Sequence, residues 1–176
     1  RDAGIETRMA LCVSPDQEAE VRLVTLINHD ARPRVLDLTS YAEVCLNNRG
    51  ADRAHPAFEK LFLETEFLSG PGALSARRRP RSADEKPVWA IHVTAADGSV
   101  SGEVEYETDR ARFLSRGRTP ANPSALDPGS RLSGTTGPVL DPVFSLRRPV
   151  RLDAGVPARL AFINGAGNTR DAATPL

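Results

Sequence analysis

Ile5-Glu6-Thr7-Arg8-Met9-Ala10-Leu11-Cys12-Val13 decides how the chain is read. Ile5, Thr7, Met9, Leu11 and Val13 alternate with Glu6, Arg8, Ala10 and Cys12. A period of two residues is that of a strand with one face on a core and the other in water. Ser14-Pro15-Asp16 is a turn signal. Residues 21–27 form a second strand, apolar on both faces in its second half and so expected in the middle of a sheet. Asn28-His29-Asp30-Ala31-Arg32-Pro33 reads as a tight hairpin connection. Leu36, Leu38, Ala42, Val44 and Leu46 then share one face of a long strand, with Asp37, Thr39, Tyr41 and Glu43 on the other. This opening trio predicts an antiparallel meander with one face on a core.

The pattern continues outward. Residues 47–54 read as polar loop, and His55-Pro56-Ala57-Phe58-Glu59-Lys60 as one helical turn in which His55 is a loop residue rather than a ligand. Leu61, Leu63, Thr65 and Phe67 alternate with Phe62, Glu64 and Glu66. Ser69-Gly70-Pro71-Gly72 turns the chain into a short strand at residues 73–79. That strand ends in Arg77-Arg78-Arg79-Pro80-Arg81, followed by Asp84 and Glu85. The run reads as a solvated, guarded sheet edge rather than a nucleic-acid patch. Trp89, Ile91 and Val93 are expected on the inward face of the next strand, with His92 opposite; Trp89 is a core residue or a sugar platform. Ala96-Asp97-Gly98-Ser99 is a hairpin turn. After residues 115–142, rich in Gly and Pro, come Val143-Phe144-Ser145-Leu146 and Val150-Arg151-Leu152 on either side of Arg147-Arg148, a turn at Asp153-Ala154-Gly155, and a last strand at Leu160-Ala161-Phe162-Ile163. About nine strands with little helix predict an all-β antiparallel β-sandwich.

Composition narrows the function classes. A chain of 176 residues is long enough for one sizeable domain and short for two. The 23 basic and 23 acidic residues cancel. Nucleic acid as a partner is therefore set aside, since non-specific binding wants a basic excess. Cys12 and Cys45 lie among apolar neighbours and are expected as buried free thiols. No Cys or His spacing points to a metal or a resident cofactor. No apolar run reaches the roughly 20 residues of a membrane-spanning helix. Residues 1–167 are expected to be a sandwich domain and residues 168–176 the start of a helical linker, the whole being an excerpt of a longer polypeptide.

The densest chemistry lies in Tyr106-Glu107-Thr108-Asp109-Arg110-Ala111-Arg112-Phe113-Leu114-Ser115-Arg116-Gly117-Arg118-Thr119-Pro120-Ala121-Asn122-Pro123. Four arginines, Arg110, Arg112, Arg116 and Arg118, fall within nine residues behind Glu107 and Asp109. A strand end here runs into a rigid loop that displays guanidinium groups. These are planar forks of donors suited to phosphate, carboxylate or vicinal hydroxyls. The competing reading is a solvated loop whose charges pair among themselves.

Several segments together carry a resemblance: Leu38-Thr39-Ser40-Tyr41-Ala42-Glu43-Val44, His55-Pro56-Ala57-Phe58, Arg79-Pro80-Arg81-Ser82, Glu107-Thr108-Asp109-Arg110-Ala111-Arg112-Phe113-Leu114, and Gly137-Pro138-Val139-Leu140-Asp141-Pro142-Val143-Phe144-Ser145-Leu146-Arg147-Arg148. The set resembles the β-sandwich domain of the glycoside phosphorylase family that includes cellobiose and chitobiose phosphorylases. It is nearest to the corresponding region of bacterial cyclic β-1,2-glucan synthases. The resemblance implies a galactose-mutarotase-like supersandwich packed through a helical linker on an (α/α)6 barrel. It implies inorganic phosphate as a co-substrate of the parent, with the general acid in the barrel, and so no catalytic residue in this chain. It also implies a parent on the cytoplasmic side of the bacterial inner membrane.

Matched residue by residue, an acceptor-sugar arginine of the family falls on Arg118, although the family's Tyr-Arg-Gly is replaced here by Gly117-Arg118-Thr119. Arg118, Arg116 and Asn122 are the expected sugar contacts. Glu107, Asp109, Arg110 and Arg112 are expected to lock the loop, and Asp141 with Arg147 and Arg148 to fix the strand edge facing the barrel. The functional expectation is a non-catalytic module that binds β-1,2-glucan or another glucose-containing oligosaccharide beside the barrel. An autonomous glucan-binding module, and a purely structural domain for interdomain packing or homodimerisation, are the alternatives.

Overall fold

The computed structural model describes residues 2–98, 100 and 102–174. Its strands are β1 (Ile5–Val13), β2 (Ala19–Asn28), β3 (Arg34–Thr39), β4 (Ala42–Glu43), β5 (Leu63–Leu68), β6 (Ala73–Arg78), β7 (Val88–Ala96), β8 (Glu105–Asp109), β9 (Pro142–Leu152) and β10 (Pro157–Gly167). Short helices α1 (Arg49–Ala54), α2 (Pro56–Lys60), α3 (Arg110–Leu114) and α4 (Arg170–Ala173) punctuate them. Six strands in the order β1-β2-β10-β7-β6-β5 form one antiparallel sheet, and β3, β4 and β8 gather on β9 in the other. The expected all-β sandwich is therefore the architecture. Ser99 of the expected turn at residues 96–99, and residues 175 and 176 of the expected linker, lie outside the described residues.

The core lies between the sheets in two clusters. One joins Val24, Leu26, Leu160 and Phe162 to Val150 and Leu152. The other joins Leu63, Leu74 and Ala76 to Phe144 and Leu146. Leu74, Leu146, Leu152 and Leu160 are essentially inaccessible. Burying a side chain of that size contributes roughly 1.5–3 kcal/mol.

Seven expectations are corrected. The opening trio is not a meander, because β3 leaves β2 for the other sheet. The corner is held by Asn28, whose buried side-chain amide donates to the carbonyls of Arg32 (2.8 Å) and Leu152 (3.1 Å). The long strand expected through residues 36–46 is interrupted at Ser40-Tyr41. Thr39 pairs with Arg147 and Ala42 with Phe144, so β3 and β4 keep one register along the same edge of β9. In the gap the Ser40 hydroxyl accepts from the Leu146 amide (2.9 Å). The loop expected at residues 47–54 contains α1, because Asn48 caps it by accepting from the Ala51 amide at 2.9 Å. The two segments expected around Arg147-Arg148 are one eleven-residue strand, β9.

The alternating apolar set of β1 is mostly not in the core. Only Ile5 is buried, while Met9, Leu11 and Val13 are 67%, 55% and 69% exposed, since β1 is the edge of its sheet. Cys12 on the same strand is exposed, as is Cys45, and both thiols are free. Finally, the faces of β7 are exchanged. His92 points into the sandwich, its ring parallel to those of Phe144 and Phe162 at 5.8 and 5.9 Å. Trp89 and Val93, half-buried, and the buried Ile91 face the other way, where Ala173 of α4 covers them. A methyl group on Gly167 would stand 2.8 Å from the Ala172 backbone, so this docking needs a glycine there.

Candidate functional site: the arginine loop

The loop grows out of β8, on an edge of β9, where Arg147 is flanked by Thr39 on one side and Glu105 on the other. Glu107 is 1% exposed. One of its carboxylate oxygens accepts from the Thr108 and Asp109 amides, each at 2.9 Å, and the other from the Ser133 amide (3.3 Å) and hydroxyl. A carboxylate bonded this way ties the start of the loop to its return limb. Thr108 does the same one residue on, sharing a 2.7 Å hydrogen bond with Thr65 and donating to the Thr135 carbonyl (2.9 Å).

Asp109 caps α3 by accepting from the Ala111 amide (2.8 Å), and its carboxylate stands 3.8 Å from Arg112. Arg110 donates to Glu43 (3.0 Å) and the Tyr41 hydroxyl (3.2 Å) and pairs with Asp141 (3.5 Å), which also holds Lys60 (2.5 Å). The Tyr41 hydrogen bond is the main reason that the Arg110 pKa is raised, and burial is the main reason that the Tyr41 pKa is raised. Of the four residues expected to lock the loop, Glu107, Asp109 and Arg110 make hydrogen bonds at its base, and Arg112 approaches Asp109 at 3.8 Å.

Arg147 completes the base. It donates to Thr39 Oγ1 (2.9 Å), to the Ser130 carbonyl (2.7 Å) and to the Ala125 carbonyl, and stands 3.5 Å from Glu105. Burial works against the charge on Glu105. The Leu132 amide, Arg131 and Arg147 outweigh it and hold the Glu105 pKa below its ordinary value. Beneath the loop, Phe113, Leu114 and Ala125 form their own apolar cluster with Tyr41 and Leu132. Tyr41 and Phe113 are tilted rings 4.9 Å apart.

The crest is different. Residues 115–122 are all exposed. Ser115 and Gly117 both adopt positive φ, 68° and 75°. Such backbone persists in a non-glycine residue only where the surroundings hold it. Arg118 pairs with Asp127 (2.7 Å), which raises its pKa. Arg116 makes no ion pair among the described residues, and Asn122 is exposed. A recess of about 340 Å³ beside the crest is lined by Arg112, Asp127, Ser130, Arg131 and Ser133 with Glu107 at its base. Arg116, Arg118 and Asn122, the expected sugar contacts, all lie on this exposed crest. The sequence did not point to Asp127, Arg131 and Ser133, which sit in a Gly/Pro-rich stretch with no periodicity to place them. Among the described residues no group of three or more His, Cys, Asp and Glu is placed to hold a metal ion, and no helix is long and apolar enough to cross a membrane.

Comparison with known proteins agrees with this architecture. The chain is 39% identical over 159 residues to the cyclic beta-(1,2)-glucan synthase NdvB of Rhizobium meliloti (strain 1021), a match covering 90% of this chain. It spans only 6% of that relative's length, so the relative is a far larger protein. A solved polysaccharide lyase superposes over 98% of this chain and 21% of its own, with a TM-score of 0.52 at 14% identity, which is a likeness of fold. The glycosyl hydrolase 94 supersandwich domain matches residues 1–176 without remainder, and the chain belongs to that family.

Proposed function

We infer that this domain is a non-catalytic supersandwich module of a larger carbohydrate-active enzyme. It shapes the glycan path of an (α/α)6 barrel in the same polypeptide and touches glucan through the arginine loop. The observation that carries this reading is the contrast between base and crest. Glu107 and Arg147 lock the base from inside, while Arg116, Arg118 and Asn122 stand in solvent. A guanidinium held on a rigid support loses little freedom when it binds a pair of sugar hydroxyls. The ligand class is β-1,2-glucan or a related glucose-containing oligosaccharide, as the name of the relative indicates. Any inorganic phosphate would serve the barrel, and the parent would work at the cytoplasmic side of a bacterial inner membrane.

The test is a calorimetric titration of the chain with linear and cyclic β-1,2-glucans, beside Arg116→Ala and Arg118→Ala. Weak saturable binding that either substitution removes is the expected result. Unchanged binding in both variants, or phosphorolysis of glucan by the pure chain, refutes the reading.

A further inference from the structure

Arg147 and Arg148 are neighbours on β9 with opposite surroundings. Every nitrogen of Arg147 is bonded to protein. Arg148 alternates with Leu146 and Val150, which are 0% and 1% exposed, so it sits on the core-facing side of the strand. Its Nε is shielded from solvent and has no hydrogen-bond partner. Among the described residues the Arg148 side chain has no ion pair either. A buried guanidinium N–H without an acceptor is costly, and a structure that retains one calls for an explanation.

The side chain lines a cavity of about 510 Å³ at the end of the sandwich. Phe67 and Tyr106 also line it, stacked with centroids 3.9 Å apart and planes 10° from parallel. The Ser69-Gly70-Pro71-Gly72 turn and the exposed Glu103 complete the wall. The turn is fitted closely. Gly72 has φ of 64°, and a methyl group there would meet Val104 at 3.4 Å. Glu103 makes no ion pair with Arg148 although both line the cavity.

We propose that this cavity is a second glycan subsite, taking a neutral hexopyranose unit of a glucan chain between the Arg148 guanidinium, the Glu103 carboxylate and the Phe67–Tyr106 pair. An unpartnered guanidinium donates to hydroxyl oxygens, a carboxylate accepts from hydroxyl hydrogens, and aromatic rings cover the C–H face of a sugar. The carboxylate in the same wall disfavours an anion such as phosphate. The site is separate from the arginine loop and stands or falls without it.

The experiment follows the arginine Nε–H resonances of the full 176-residue chain by ¹⁵N NMR while linear β-1,2-glucan or inorganic phosphate is added. The resonance missing from Arg148→Met identifies Arg148. Expected are a saturable shift of that resonance and of the Gly70 and Gly72 amides with glucan and none with phosphate. Affinity should be about tenfold weaker in Arg148→Met and in Glu103→Gln, the loss of one charged hydrogen bond. Both variants should remain folded, as judged by their remaining amide spectra. The Arg148 shift should survive in an Arg116→Ala, Arg118→Ala double variant, even if the loop binds nothing. A shift with phosphate and not with glucan, no shift with either, or unchanged glucan affinity in folded Arg148→Met overturns the proposal.

Discussion

His92 Nε2 lies 2.8 Å from Ser40 Oγ, and this one hydrogen bond ties β7 of the six-stranded sheet to the interrupted edge strand of the other. On its far side the ring meets Asn164 Oδ1 at 2.7 Å. An amide oxygen only accepts, so Nδ1 carries the hydrogen and Nε2 accepts from the serine hydroxyl. Asn164 in turn donates to Glu20 (3.3 Å), which holds Arg22 (2.6 Å). The junction of the two core clusters is thus a polar relay rather than a continuous apolar layer.

That arrangement makes stability depend on pH. Burial, assisted by the Arg22 charge and opposed by Asn164, lowers the His92 pKa from 6.5 to about 4. The folded protein binds this proton less readily than the unfolded chain. His92 therefore contributes fully above pH 6.5, and the contribution is lost as pH falls from 6.5 towards 4. The loss is of the order of 3 kcal/mol. Urea unfolding at half-unit steps of pH should show this slope in the wild type and a flatter one in His92→Asn.

Replacing Glu107 by Ala leaves the amides of Thr108, Asp109 and Ser133 without their acceptor. Thr108 is buried, Asp109 half-buried and Ser133 exposed, so the loss of their acceptor costs about 1–3 kcal/mol in total. The expected outcome is a lower urea midpoint together with faster tryptic cleavage at Arg116 and Arg118. Equal cleavage rates in wild type and variant would mean that the loop is held by something other than this carboxylate.

Arg78 is 3% exposed and pairs with Glu59 at 2.8 Å and with Glu85. The Arg78 hydrogen bond is the main reason that the Glu59 pKa is lowered. Glu59→Ala should lower the unfolding midpoint, since it strips one partner from a buried charge. Combining Glu59→Leu with Arg78→Met should recover most of the loss. A double variant no more stable than Glu59→Ala would assign the pair a positive contribution of its own.

Leu11 is a test of the edge strand. Its place in the alternating pattern suits a core residue, yet its side chain is 55% exposed. Leu11→Lys should change stability by no more than about 0.5 kcal/mol, the usual range for surface substitutions. A loss of several times that in thermal unfolding would place Leu11 under cover in solution.

Both thiols should react with a disulfide reagent in the folded chain, since Cys12 and Cys45 are exposed and free. Burial raises the Cys45 pKa, outweighing the Asn47 amide. In a Cys12→Ser variant the reaction of Cys45 should therefore accelerate with pH to a midpoint above the ordinary thiol range.

Strand positions were legible because a period of two needs only neighbouring residues. Leu63, Thr65 and Phe67 on one side of β5 follow from local sequence alone. Helix α1 was hidden because its defining signal is a single cap at Asn48, with no apolar stripe to mark it. The Arg77-Arg78-Arg79-Pro80-Arg81 run read as solvated edge, but Arg78 is buried. Its partner Glu59 comes from α2, 19 residues earlier, and no local spacing announces such a pair. In the arginine loop, Asp109 acts two residues along the chain, as the cap of α3. By contrast, the clamp of Glu107 on Ser133 joins positions 26 residues apart.

What the sequence by itself determined is the all-β character, the approximate strand positions and the exposed arginine crest, because these depend on alternation, turn residues and charge density. Only the tertiary structure decided which face of each strand is inside. Trp89 and His92 show why: both faces of β7 are apolar enough to be covered, and the choice fell to α4, which buries the Trp89 side and leaves His92 to the sandwich. The same holds for Arg147 and Arg148. Adjacent and chemically identical, they are separated only by the pleat of β9, which turns one to bonded carbonyl acceptors and the other to a cavity where its Nε has no partner.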